Sequence, residues 1–379
     1  MKTHLNCQLC RPLFPHVFVF TYYYSTPALP CNWYAAYVVV LFTGQGCIGY
    51  TRGMISVGEC HDAGEWDNSI LDMDGHPLQL WGWGELKAAH RWRATRLLVK
   101  DGETIIGAAQ VLTRTLPFPF KSLHYTPRGP VCTAEHREAT YTALQEYAAK
   151  HLGGVVLTVE PDDEQAPSGA GWKAVANTIL IPRTLILDLK KTEDELLADM
   201  TKKTRQYIRK SSRESGAVIQ VTTREDIATC LGIYHQTAQR AHFALHDDQY
   251  YYDVNDKLGD SSVIFAAYDG DEIVAFVWLA VSGHTAFELY GGMNDRGQEL
   301  RANYSLKWHA IQTCKRWGVT RYDMNGLLND GVSTFKQGFA SHENMLAGTY
   351  DYPLSPLYSL WTTALPKVRA VLRRIKTLR

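Results

Sequence analysis

The chain has no net charge: 39 Lys and Arg residues balance 39 Asp and Glu residues across 379 positions. No global field draws it to nucleic acid or to an anionic surface, so any such attraction must come from local clusters. The apolar tract Trp33 to Phe42 has ten residues, too few for a helix across a bilayer, which needs about 20. A secretory signal would begin with charge and continue into a longer apolar run and a small-residue cleavage site, and that order is absent. Cys7 and Cys10 form a C-x-x-C with no second pair at zinc-finger spacing. His242 and His246 stand at i, i+4 without the glutamate of a zincin helix, so no metal is expected. Cys60, Cys132, Cys230 and Cys314 fall in expected core or helix positions and read as thiols of a reducing cytosol.

Three regions stand out. Residues 1–53 are aromatic and nearly free of acid, interrupted by Pro12, Pro15, Pro27 and Pro30. Met54 follows directly, and residues 1–53 are expected to be upstream sequence from a mis-assigned start. At the other end, residues 366–379 carry Lys367, Arg369, Arg373, Arg374, Lys376 and Arg379 with no acid, and apolar residues on the opposite helical face. That pattern suits a basic amphipathic helix lying on an anionic bilayer. Between the ends, one pattern occurs twice at a period of roughly 165 residues, suited to a duplicated domain rather than to a solenoid. Leu97 to Ala109 and Ile264 to Phe276 each read as strand, Asp-Gly turn, strand. Each is followed by a strand (Ser122 to Tyr125; Thr285 to Tyr290), a helix (Ala134 to His151; Asn303 to Trp317) and a strand (Val155 to Glu160; Arg321 to Asn325). A single helix is expected from Glu193 to Ser215, capped by Thr192 or Thr201. It sets Lys202, Arg205, Arg209 and Arg213 at i, i+3, i+7 and i+11, on one face. Such a face is either solvated or a rail for phosphates.

Hairpin, strand, helix, strand is the core order of the GNAT acyltransferase fold. Two copies in tandem resemble the FemABX family, and the resemblance covers about residues 65–355. It is carried by Trp83-Gly84-Glu85-Leu86-Lys87, by Tyr125-Thr126-Pro127-Arg128-Gly129-Pro130-Val131, and by Thr237-Ala238-Gln239-Arg240 followed by Tyr250-Tyr251. Glu288-Leu289-Tyr290-Gly291-Gly292, Ala302 to Trp308, Arg321 to Gly326, Phe335-Lys336-Gln337-Gly338-Phe339 and Gly348 to Asp351 continue it. The resemblance implies an α/β (α+β) chain of two GNAT-like domains without a long coiled-coil arm. The expected division is an atypical extension at 1–53, domains at 54–184 and 185–355, and a basic tail at 356–379.

The family moves an amino acid from aminoacyl-tRNA to the stem peptide of a peptidoglycan precursor. What the resemblance implies here is a non-ribosomal peptidyltransferase whose acceptor is lipid II or UDP-MurNAc-pentapeptide. The family chemistry implies no metal or redox cofactor. Its partners would be aminoacyl-tRNA, the precursor and, peripherally, the anionic inner leaflet, with the chain in the cytoplasm. Lys336 would stabilise negative charge on the ester carbonyl, with Phe335 near the tRNA terminus. Glu160 would orient or deprotonate the attacking amine. Lys87, His246, Tyr250 and Tyr290 would contact the acceptor, and Arg205 and Arg209 the phosphates of tRNA or of a pyrophosphate. His246 stands where compact members carry an arginine, and a histidine is only partly charged at neutral pH. Arg128 would be structural, bridging the two units. The alternatives are a GNAT-type acyltransferase acting on another small-molecule or lipid acceptor, and a catalytically dead scaffold. Against an ordinary acyl-CoA enzyme, the stretch after Gly291-Gly292 lacks the Q/R-x-x-G-x-G/A spacing that cradles pyrophosphate. The amino acid donated, the number of residues added and the oligomeric state are not legible in the sequence.

Overall fold

The computed structural model describes residues 55–363 apart from 215, 242, 329 and 330, together with the strand backbones Gln8–Leu9, Val17–Tyr24, Tyr34–Thr43 and Gly46–Thr51. The expectation of an amphipathic helix at 366–379 lies outside the described residues, as does most of the expectation about residues 1–53.

The first unit is built on a sheet of β1 (Ile55–Glu59), β2 (Arg93–Asp101), β3 (Thr104–Thr115), β4 (Ser122–Pro127) and β5 (Val156–Glu160). The second unit holds β6 (Ile186–Asp188), β7 (Val218–Val221), β8 (Ser262–Asp269), β9 (Glu272–Ser282), β10 (Thr285–Met293) and β11 (Arg321–Asp323), in the sheet order β6-β11-β10-β9-β8-β7. The middle residues of β2, β3, β8 and β9 are buried in unbroken runs, as in strands covered on both faces. In each unit a helix, Arg137–Tyr147 or Ala302–Arg316, carries the chain back to a strand parallel to the one it left.

The duplication extends to a defect. Val99 faces Gly107 but Lys100 faces Ile105, and Ala267 faces Ala275 but Tyr268 faces Ile273. The two hairpins thus carry the same extra residue at the same offset from their turns. The turns themselves are Gly102–Glu103 and Gly270–Asp271, so each aspartate of the Asp-Gly pair ends its strand instead of entering the turn.

Two expectations about organisation change. The helix expected over Glu193 to Ser215 is two helices, α4 (Glu193–Asp199) and α5 (Lys202–Glu214). Both candidate caps are used: Thr192 forms a capping box with Glu195, and Thr201 Oγ1 accepts from the Thr204 amide at 3.2 Å. Two N-terminal signals nine residues apart therefore start two helices. The second change is at the C-terminal end of the second span. Thr349–Pro353 (β12) pairs antiparallel with β5 (Val156 opposite Pro353), so it completes the first unit's sheet. A strand within the span 185–355 thus belongs to the first unit's sheet and ties the units together. Among the described residues the helices include no long antiparallel arm, and none is long and apolar enough to cross a membrane.

Candidate functional site

Side chains with chemistry gather in two places. The first lies between the units, where α2 (Trp81–Ala89) packs on α7 (Asp248–Leu258). Gly82 makes the contact possible, since a Cβ there would sit 2.2 Å from the Lys257 carbonyl oxygen. This close approach brings Lys87 to Tyr250, where its ammonium donates to the phenol oxygen at 2.7 Å and lies 4.4 Å from the Trp83 ring centre. The His246 ring stacks on Tyr250 with centroids 3.9 Å apart and 22° between planes. Tyr251 stands edge-on to Tyr290 at 5.0 Å, and Tyr290 edge-on to Trp278 at 5.7 Å. Four of the expected acceptor residues, Lys87, His246, Tyr250 and Tyr290, therefore share one aromatic cleft.

Lys87, Tyr250 and Tyr290 are largely covered in this contact, and their titration registers it. Burial pushes the Lys87 ammonium down to about 8. Burial, followed by the charge of Lys87, lowers His246 below the usual imidazole value, which disfavours its charged form beside that lysine. Burial raises Tyr250 to about 12, and raises Tyr290 further, with Tyr250 as the next cause. Both phenols therefore stay protonated, and that of Tyr250 accepts from Lys87.

The second place is on the other face of β10. A register shift puts Trp278 opposite Tyr290 but Leu279 opposite Glu288, so Tyr290 and Glu288 turn to opposite sides of the sheet. Glu288 forms a buried ion pair with Lys307 of the Ala302–Arg316 helix, their side chains 8 % and 9 % exposed. Its main-chain oxygen accepts from Asn325 Nδ2 at 2.9 Å. Asn325, at φ +63°, shapes the turn after β11, and the carbonyls of Asn325 and Gly326 receive the Lys336 ammonium at 3.3 and 3.1 Å. Lys336 sits near the end of α10 (Gly331–Gln337). Phe335 beside it packs edge-on against Tyr304 and Phe339, at 4.9 and 5.2 Å. Gly338 closes this turn because α5 passes over it: a Cβ would fall 2.3 Å from Thr204 Oγ1.

Three expected residues are placed elsewhere. Glu160 is 1 % exposed and accepts from Tyr125 Oη at 2.5 Å, Thr349 Oγ1 at 2.5 Å, and the amides of Ile179 and Leu180 at 2.8 and 3.1 Å. A carboxylate with its lone pairs so occupied clamps β4, β5 and β12 together, which favours a structural role for Glu160 over that of a base. Arg205 turns back onto the carbonyls of Leu197, Ala198 and Met200, at 3.1, 3.3 and 2.5 Å. It caps the C-terminal end of α4, so the break between α4 and α5 removes it from the cationic face. Arg209 stays exposed on that face, beside Lys210 and Arg213.

Composition and spacing missed a buried network between the units. Asp162 receives Arg321 at 2.8 and 3.1 Å, and Arg128, 2 % exposed, lies 3.8 Å from Asp162. The bridge across the units is therefore the Asp162–Arg321 pair, with Arg128 behind it. Asp323 and His76 join them, and His76, Asp162 and Asp323 are the described residues whose ligand atoms lie close enough to share a metal ion, within 4.8 Å. Two guanidinium groups already balance the two carboxylates, and burial with the charges of Arg128 and Arg321 holds His76 neutral. A divalent cation would add uncompensated buried charge, so the network suits a structural joint better than a metal centre. His242 lies outside the described residues, and His235 pairs with Asp248 at 2.7 Å.

Known proteins match this arrangement along most of its length. The family model described as FemAB family matches residues 70–169, and that of an acetyltransferase (GNAT) domain matches residues 199–337. Among curated proteins, the chain is similar to the lipid II:glycine glycyltransferases of Staphylococcus aureus strains MRSA252 and USA300. Each is 23 % identical over 390 residues, covering 78 % of this chain and 92 % of the relative. Among solved structures, FemX superposes with a TM-score of 0.72 at 20 % identity, over 80 % of this chain and 99 % of that one. The C-terminal domain of a putative lysylphosphatidylglycerol synthetase from Agrobacterium fabrum gives 0.50 at 11 % identity, over 81 % and 97 %. The fold is thus a tandem GNAT-type α/β fold.

Proposed function

We propose, from the premise that the chain belongs to the FemABX family and is an acyltransferase, that it moves an amino acid from aminoacyl-tRNA to the stem-peptide amine of lipid II. The observation that carries this reading is the cleft between the units, where a lysine of the first unit meets tyrosines of the second. A desolvated cation walled by aromatic rings suits a large acceptor with both phosphate and apolar or sugar surface. On the other face of β10, the Lys336 ammonium, held by the carbonyls of Asn325 and Gly326, is the group this reading assigns to the developing oxyanion. The acceptor nitrogen forms a bond to the ester carbonyl carbon, the carbonyl oxygen takes negative charge, and Lys336 stabilises it. Collapse breaks the ester C–O bond, and the ribose oxygen leaves with a proton that began on the amine. Aminoacyl-tRNA serves as donor substrate, and the reaction requires no cofactor.

Acyl-CoA is the weaker donor. The helix that follows β10, Asp295–Leu300, begins with the Asn294 side chain already accepting the Gly297 amide at 2.8 Å and with Asp295 in its first turn. A pyrophosphate approaching that end meets a filled cap and a negative charge.

The test is transfer by the full chain from tRNA charged with labelled amino acids to lipid II, with the UDP-linked pentapeptide as the soluble comparison. RNase-sensitive label in lipid II supports the reading, and no label in either acceptor while tRNA binding persists rejects it. Acceptor binding should follow the charge of Lys87. That group is protonated below about pH 8 and neutral above it, so the acceptor KM is expected to rise as pH passes from 7 to 9. The K87M variant should show a raised KM with a flat profile. The two arginines should separate. R209E is expected to weaken tRNA binding and reduce its salt dependence. R205A is expected to lower the melting temperature while leaving tRNA affinity near wild type, because its contacts are carbonyls of the chain itself.

A further inference from the structure

The most exposed large apolar side chain among the described residues is Phe118, 96 % accessible at the tip of the turn between β3 and β4. The turn is braced from within, with the Leu116 amide on the Lys121 carbonyl at 2.8 Å and the Phe120 amide on the Pro117 carbonyl at 3.1 Å. Phe118 is therefore displayed on a fixed stalk, not waiting for a place in the core. Its neighbour Phe120 packs edge-on against Trp361 at 5.3 Å, and Leu116, Phe120, Leu357 and Trp361 cover the buried Val155, Val156 and Tyr358. Leu360, 52 % exposed, adds a second outward apolar side chain on the helical segment 358–363.

The flanking sequence carries charge of one sign. Arg114, stacked over Trp92, and Lys121 are exposed at the two ends of this turn, and neither 112–123 nor 352–363 contains an acidic residue. The chain leaves the segment 358–363 directly into 364–379, whose sequence holds six cations and no acid. In a protein whose charges balance only when these cations are counted, an exposed apolar tip flanked in sequence by two exposed cations, with a basic terminus following the neighbouring segment, favours an anionic apolar partner. We propose that the Phe118 turn and the 358–363 segment form a docking surface for an anionic lipid bilayer, with Phe118 and Leu360 entering the headgroup–acyl boundary and Arg114 and Lys121 meeting the headgroups. A lipid-linked acceptor gives this contact its purpose, and for that purpose it rests on the transferase reading. The binding itself does not depend on that reading.

The experiment is co-sedimentation of the full chain with phosphatidylglycerol vesicles and with phosphatidylcholine vesicles, for wild type, F118S and F118S/L360S. Binding is expected on the anionic vesicles and weakened by salt, with F118S reducing the partition coefficient roughly tenfold and the double variant reducing it further. Phe118 makes no core contact, so F118S should melt with wild type. Unchanged vesicle binding in both variants overturns the proposal. So does a wild-type dimer that F118S converts to monomer without any loss of vesicle binding, since a second copy would then be the occupant. Transfer separates this test from that of the function. F118S should keep wild-type turnover on the soluble UDP-linked pentapeptide and lose it on vesicle-borne lipid II. If neither acceptor is labelled by wild type, the transferase reading falls and the sedimentation result still decides the surface.

Discussion

Replacing Lys336 with alanine is expected to lower kcat for amino-acid transfer by about a hundred- to a thousand-fold, with little change in KM for either substrate. The reason is what surrounds the ammonium. It is fixed by the carbonyls of Asn325 and Gly326 at 3.3 and 3.1 Å, on a turn that Asn325 ties to the Glu288 carbonyl. A cation held this way costs little reorganisation when charge develops beside it, so its effect falls on the transition state more than on ground-state binding. Arginine at this position keeps the charge but enlarges the head and spreads it over a plane, and K336R should recover only part of the loss. The turn supplies a second readout. In N325G a glycine accepts the positive φ but loses the tie to β10, and kcat should fall while the fold stays intact. In the K336A background the same change should cost little more, because the turn acts through the lysine it positions. Steady-state kinetics of the four proteins measure this, and full activity of K336A would remove Lys336 from the chemistry.

The second large effect is on stability. The Lys307–Glu288 pair is almost sealed, and truncating either partner leaves the other charge buried without compensation. K307M and E288L are each expected to destabilise the protein by about 3–5 kcal/mol. The double variant K307M/E288L should recover most of that loss, since two apolar side chains of similar volume take the place of two buried charges. Urea unfolding of the three variants measures the coupling, and additive losses would sink the argument. The pair also lies behind the Asn325 turn, so the double variant is predicted to fold well and still transfer slowly. Its two halves come from β10 and from the Ala302–Arg316 helix, which places this joint inside the second unit.

The duplicated hairpins, the helices that follow them and the parallel returning strands were legible in the sequence. Each rests on local rules: apolar runs, turn residues and a helical period act over a few residues and do not need the rest of the chain. Lys87, Tyr250 and Tyr290 could be named as candidates from motifs that resemble the family's. Their meeting in one cleft could not, because it depends on α2 and α7 touching at Gly82, a contact between residues far apart in the chain. The same limit explains Glu160 and Arg205. An acidic residue before a proline and an arginine on a cationic face look available for chemistry, and only the fold shows four donors around the first and three carbonyls around the second. Glu288 and Lys307 carried no periodic signal, since a buried ion pair looks in sequence like any two charges. The sequence by itself determined the duplicated elements, their order and the residue types able to do acyl transfer. The tertiary structure decided which of those residues are free to act, because burial, close backbone approach and hydrogen-bond saturation arise only when distant segments pack.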